Sequence, residues 1–521
     1  MNKLDTNSMN CNLDRRTALK FAAGVSALAV APHTSFSAPV LANNGEIVAL
    51  SARAATDYIR RGELSAERYA QVLLERYKAH TNLNTVTYID ETRLVEDARE
   101  IDRARARGAQ LGPLAGLPIM LKDNINTVGF PTTAGTPFLK GYRPKANAPI
   151  ADMLFKQGAI LFAKSNMHEL ALGGTSANPT FGYVKNPYDL ARIPGGSSGG
   201  TAAAVAARIV PLGFGSDTTG SVRMPAHFCG IAGLRPSNPK TNKPYPVDGI
   251  VPLELTFDVA GPMARSVADI ALVHSAITHG AELTAADLRG VRIGVPRAYF
   301  WETLDGDVAK IMETTLDKLR AAGAVFIDVD FGDLIKAGLS VRGVLRREGF
   351  RSDLAEFLAR EYPAMTMKDA IVSIPSKRVR ALEEDARDNP PSRESVEKAR
   401  ASMDALGPQY RDAFQQQNIV AIAYPTMPVP APLLPTDGDG VPSPFEINGR
   451  QYPDTTIIRN SLPGPAFRAP GLSIPAGLTP DGLPAGFEID GLPGQDDQLL
   501  RLGMAIEAVL GPLPPPTFRN S

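Results

Sequence analysis

The chain is poor in cysteine: Cys11 and Cys229 are the only two in 521 residues. That excludes a disulfide-stapled scaffold. Histidine is sparse as well. His33, His80, His168, His227, His274 and His279 show neither HxxxH nor HxH spacing, and no cysteine pair accompanies them. A protein-built zinc site has no ligand set here, so no metal is expected. Charge of one sign is not in excess either, with Lys+Arg 55 against Asp+Glu 55. A broad nucleic-acid face needs a basic excess, and an acidic solvating chain needs the opposite. No apolar run reaches the roughly 20 residues of a membrane-spanning helix. Glycine (46) and proline (44) are plentiful, beside a hydrophobic share of 44%. This mixture predicts many tight turns and a loop-built site around a sizeable core, not a helical bundle.

Residues 1–42 read as an export signal. Arg15-Arg16 precede the apolar run Phe21–Ala31, which is 11 residues long. That run is too short to span a bilayer and has the proportions of a signal-peptide core. The paired arginines resemble a twin-arginine signal, and Val40-Leu41-Ala42 offers small or aliphatic residues before a cleavage point. The expected partner is the twin-arginine export machinery, and the expected location is the periplasm. Cleavage would remove four basic and two acidic residues, leaving a net charge of −2 and Cys229 as the lone cysteine.

Helical signals and short apolar runs alternate along the remainder, residues 43–521. Helices are expected from Ser65 as N-cap to Lys78, over Val95–Arg107 up to Gly108, over Ile150–Lys156, Thr201–Ala207, Val308–Ala322, and over Val267–His279 with Ser266 as N-cap. Strands are expected at Leu117–Lys122, Ala159–Ala163, Ile209–Phe214, Val291–Val295, Val325–Val329 and Ile419–Ala423. The alternation implies an α/β fold with an open sheet. Residues of about 333–412 are helical and charged, a candidate insertion or cap, and residues 424–496 are dense in Pro and Gly.

The chemistry concentrates in two loops. Pro194-Gly-Gly-Ser-Ser-Gly-Gly200 precedes a helix of small residues, and Asp217-Thr-Thr-Gly-Ser221 follows 17 residues on. A phosphate-binding loop would need GxxxxGK[ST], and the lysine is missing. Gly195–Gly199 matches GxSxG, but Leu190-Ala-Arg-Ile-Pro194 is a poor strand, and no histidine follows late in the chain for a triad. Ser237-Asn-Pro-Lys240 matches SxxK, but Pro239 breaks the helix that this motif should open. A lysine base with two serine hydroxyls fits better. Lys122 ends the apolar run of Gly116-Leu-Pro-Ile-Met-Leu-Lys122, and burial lowers a lysine pKa until the amine can act as a neutral base. An ion pair between Lys122 and Asp123 is the competing reading of the same residues.

The pieces GLPIMLKDNI (116–125), GGSSGG (195–200) and GSDTTGSVRMPA (215–226) resemble the amidase signature family, the Ser–cis-Ser–Lys hydrolases. Cys229–Pro236, Ala260–Ser266, Gly471–Gly477 and Gly482–Phe487 extend the resemblance over roughly residues 46–512. It implies a central mixed twisted sheet flanked by helices, amide hydrolysis without a cofactor, and a small-molecule amide as substrate. The intervals of 75 residues from Lys122 to Ser197 and 24 from Ser197 to Ser221 are similar to the family's. They imply Lys122 as base, Ser197 after a cis peptide from Gly196 as relay, and Ser221 as nucleophile. Backbone N–H groups of Thr218, Thr219, Gly220 and Ser221 are implied as oxyanion donors, with Ser198, Asp217 and Arg223 in support. For Thr175 and Ser176, loop capping and substrate contact stand level.

One departure is visible: the family usually has two glycines before the nucleophile, and here Thr219 stands in the first of those places. Asn166-Met-His-Glu-Leu-Ala171 with Asn186-Pro-Tyr-Asp189 looks like the indoleacetamide and mandelamide hydrolase branch. That implies an arylacetamide or similar aromatic primary amide, with His168 either lining the pocket or satisfied in the core. Esters, anilides or carbamates would share the chemistry. A transamidase subunit working with partner chains is the other implied role.

Overall fold

The computed structural model describes residues 43–241, 243–436 and 445–520. The expected export signal, residues 1–42, lies outside them. Eleven strands among the described residues join in one sheet. In chain order they are β1 (Val86–Tyr88), β2 (Pro118–Lys122), β3 (Ile160–Ser165), β4 (Leu212–Asp217), β5 (Ala232–Arg235), β6 (Val259–Ala264), β7 (Arg292–Val295), β8 (Val325–Asp328), β9 (Ala421–Pro425), β10 (Gly471–Leu478) and β11 (Pro484–Asp490). Their spatial order is β1-β3-β2-β4-β6-β5-β10-β11-β9-β7-β8. The sheet is mixed: β3, β2 and β4 run parallel, as do β9, β7 and β8, while the strands between them pair antiparallel.

Strands β2, β3 and β4 are buried along their whole length. A parallel strand covered on both faces reads as a continuous apolar run, which is why the apolar runs ending at Lys122 and Ala163 stand out in the sequence. Their carboxyl ends lie together and carry Lys122, Ser165 and Asp217. Sites of open α/β sheets collect at this end of parallel strands.

Helix α1 (Gly199–Ala206) packs on this end of the sheet. Its small residues permit a close approach: a Cβ on Gly200 would stand 2.3 Å from Asn166 O. Thr201 and Ser165 share a hydroxyl hydrogen bond of 2.7 Å beneath it. Helix α2 (Arg223–Cys229) follows the second loop. Between β8 and β9 come α3 (Gly332–Glu361), α4 (Met367–Ser373), α5 (Lys377–Asp388) and α6 (Arg393–Gln417), with no strand among them.

Several elements differ from their expected bounds. The charged helix starts at Glu91, not Val95, because the Asp90 side chain accepts from the Arg93 N–H and caps it. Strand β4 begins at Leu212, three residues late. The Ile209 N–H turns back to Ala204 O, so Ile209 and Val210 are buried in a turn rather than paired. Strands β6, β10 and β11 were not expected at all. Their sequences, VAGPMA, GLSIPAGL and PAGFEID, look like turns. Their glycines lie where neighbours crowd: a Cβ on Gly261 would come within 2.4 Å of Leu234 O. Ser65 and Ser266 cap their helices as expected.

Candidate active site

Lys122 closes β2 with its side chain fully buried. Its Nζ lies 2.6 Å from Ser197 Oγ and 2.9 Å from Ser216 Oγ. Asn124 Nδ2 donates to the same Ser216 hydroxyl across 3.0 Å. Burial lowers the lysine pKa to about 7, against an opposing pull from Asp258 and Asp217. The competing Lys122–Asp123 ion pair is not formed. Asp123 instead faces Lys164 Nζ at 3.5 Å and accepts from Thr133.

The peptide between Gly196 and Ser197 is cis. A Cβ on Gly196 would meet Gly173 O and Ser176 N, each at 3.0 Å. The Ser197 carbonyl accepts from the His168 N–H at 3.1 Å. Ser176 Oγ accepts from the Gly199 N–H at 3.0 Å and donates to Ser197 O at 3.4 Å, so it caps the loop. Ser198 donates its hydroxyl to Ser216 O at 3.3 Å.

Asp217 organises the second loop. Its carboxylate accepts from the N–H groups of Gly220 (2.7 Å) and Val222 (3.2 Å). Arg223 and Arg235 pair with it, each at 3.1 Å. Burial alone would raise the Asp217 carboxyl; the two guanidiniums outweigh it and hold it well below the usual range. Arg223 reaches on to Glu488 at 2.8 Å. Gly220 adopts φ +116°, where a Cβ would come within 2.3 Å of Ser461 Oγ. The Gly220 N–H is already donated to Asp217. Among the described residues, those of Thr219 and Ser221 meet no acceptor.

Ser221 and Thr219 open into a cleft of about 940 Å³, its mouth included. Its walls include Leu172, Met224, Phe257, Phe350 and Ile457, together with Thr175 and His168. Burial, then Arg378 and Lys122, push His168 down to about 3, so its ring is neutral. The helical segment supplies Arg342, Arg346 and Arg378. These three arginines, Ser216 and Asn124 were not singled out in the sequence. Asn124 and Ser216 sit inside the quoted motifs, and the arginines carry no local signal.

The sequence profile described as Amidase matches residues 69–500. This chain belongs to the amidase family. It is 37% identical to an indoleacetamide hydrolase of Agrobacterium vitis over 457 residues, 87% of this chain and 95% of that one. It is 34% identical to a mandelamide hydrolase of Pseudomonas putida over 482 residues, 89% of this chain and 92% of that one. Its fold superposes on the native peptide amidase of Stenotrophomonas maltophilia with a TM-score of 0.76 at 26% identity, covering 90% of this chain and 99% of the other. The mixed central sheet with flanking helices is the amidase fold, and the chain is an amide-hydrolysing enzyme.

Proposed function

We propose that this amidase hydrolyses small aromatic primary amides of the arylacetamide type to the acid and ammonia through an acyl-enzyme on Ser221. The hydrogen bond of 2.6 Å between Lys122 and Ser197, with the lysine pKa near 7, carries this reading. A neutral Lys122 donates its two N–H bonds to Ser216 Oγ and Ser216 O, which leaves its lone pair for Ser197. Ser197 passes its proton to Lys122 Nζ as it takes the proton of Ser221. Ser221 Oγ bonds to the amide carbon. The oxyanion is received by the N–H groups of Thr219 and Ser221, with Thr218 beside them. The C–N bond then breaks, the proton returns from Lys122 through Ser197 to the departing nitrogen, and ammonia leaves. Water attacks the ester by the same relay and releases the acid.

The apolar walls of the cleft support an aromatic acyl group, as do the named substrates of the indoleacetamide and mandelamide hydrolases. Residues 333–412 serve as the cap of this cleft. Export through the twin-arginine machinery to the periplasm is the second part of the proposal, supported by Arg15-Arg16 and Phe21–Ala31. Ammonia release from phenylacetamide, indole-3-acetamide and mandelamide, beside butyramide, tests the first part. Release from none of them overturns it. Fractionation of cells carrying the full chain or an Arg15→Lys/Arg16→Lys chain tests the second, and equal periplasmic amounts of both overturn it.

A further inference from the structure

The cleft holds more positive charge than a neutral amide requires. Arg342 and Arg346 stand one turn apart on α3, and Arg378 lies on α5; all three line the cleft. One carboxylate, Asp454, lines it with them, and Arg378 takes it in an ion pair. The carboxyl groups behind the wall are committed as well. Asp385, whose field reaches Arg346, pairs with Arg347 at 2.7 Å. Glu254, whose field reaches Arg342, is pushed well above the carboxylate range by burial and then by Asp258, so it supplies no counter-charge.

Arg342 and Arg346 are therefore left without an anion. Arg342 makes one hydrogen bond, 3.4 Å to Thr219 Oγ1, and its Nε is buried without a partner. Among the described residues Arg346 has neither a hydrogen bond nor an ion pair, and its guanidinium lies 5.5 Å over the Phe350 ring. Burial and then the neighbouring Arg346 lower Arg342 to about 10, which still leaves it charged at neutral pH. Two half-buried cations on one helix face repel each other and are poorly solvated, a cost that an anion between them would offset. Their planar forks suit a carboxylate.

We infer that Arg342 and Arg346 form an anion subsite of the catalytic cleft, which takes a carboxylate borne by the amide substrate. The inference rests on the amidase reading and narrows its substrate class to amides carrying a second, charged group. Thr219 acts as a positioning residue: its hydroxyl ties Arg342 to the loop of Ser221, a contact that glycine would not provide. Phe350 and Phe257 face the apolar body of the same molecule. The carboxylate sits either on the acyl group or on the leaving amine.

Calorimetric titration of the Ser221→Ala chain, residues 43–521, separates these cases. The probes are phenylacetamide, 4-carboxyphenylacetamide (charge on the acyl side) and N-phenylacetylglycine (charge on the amine side). One carboxylate amide is expected to bind at least tenfold tighter than phenylacetamide. Arg346→Gln and Arg342→Gln are expected to erase that advantage. Arg346→Lys should keep part of it, which a folding defect would not do. Binding of both carboxylate amides no tighter than phenylacetamide, or a preference that survives both glutamine substitutions, overturns the subsite. Turnover is read separately on the active chain. No ammonia or amine from any of the three amides counts against the amidase reading, while the titrations still decide the subsite.

Discussion

The backbone N–H of Ser198 donates to the carbonyl of Ser221 across 3.2 Å. One main-chain bond thus sets the glycine- and serine-rich loop against the loop of the proposed nucleophile. The spacing of the two hydroxyl-bearing loops does not depend on the hydroxyls themselves.

Removing either hydroxyl should therefore leave the fold intact. Ser221→Ala and Ser197→Ala are expected to melt within about 2 °C of the parent, the scale of a sub-kcal/mol change in a chain of this length. Ser221→Ala should lose all turnover and show no acyl-enzyme mass in quenched samples. Ser197→Ala should lose about 10²- to 10⁴-fold in kcat, the usual worth of a proton relay. A Ser197→Ala chain as fast as the parent would remove Ser197 from the mechanism.

The pH dependence follows from burial of Lys122, which brings its pKa to about 7. The base is the neutral amine, so activity belongs to the high-pH side. Below the midpoint kcat/KM should fall about tenfold per pH unit, and above it the profile should level off. His168, held near 3, does not titrate in this range. Initial rates between pH 5 and 9 check this, and a flat profile would mean that Lys122 is not the base.

Asp217→Asn breaks two buried ion pairs at once, those to Arg223 and Arg235. The expected loss is about 3–5 kcal/mol, because two guanidiniums are left facing an amide. The sign with pH is fixed by the lowered pKa of Asp217. A carboxylate of that kind stabilises fully above its unfolded value, roughly pH 4, and the contribution fades as pH falls through the folded value. Urea denaturation of both chains should therefore show a wide gap at pH 7 that narrows in acid. A constant gap would assign the effect to packing.

Gly220→Ala places a Cβ 2.3 Å from Ser461 Oγ at a φ of +116°. Ser461 also donates to Thr219 O across 2.6 Å, so any yielding displaces the neighbouring peptide. The expected result is a fall in kcat of about 10²-fold with little change in KM, as for a misplaced oxyanion donor. A rise in KM alone would place the fault in substrate binding instead.

Much of the catalytic cluster is legible because its members lie in short motifs at set intervals. Lys122 ends an apolar run, and Ser197 and Ser221 lie in loops that precede helices; folding brings all three to one end of the sheet. Ser216 and Asn124 sat in plain view, but their contacts depend on the close approach of β2 and β4, which spacing along the chain does not reveal. The arginines were illegible for a different reason. Arg346 and Arg347 are neighbours on one charged helix, yet one lines the cleft and the other pairs with Asp385. Only the packing of α3 against its neighbours decides which faces which. Strands β10 and β11 escaped notice because proline and glycine, ordinarily turn formers, here serve crowded central strands.

The position of β10 and β11 has a consequence in time. They are made near the end of the chain, yet they fill the middle of the sheet between β5 and β9. Glu488, on β11, completes the ion-pair chain through Arg223 to Asp217. A nascent chain that has already emerged as far as Ser221 thus has its nucleophile but nothing to brace it. The last strands to leave the ribosome act as the arming step, and hydrolytic power arrives only with the finished polypeptide.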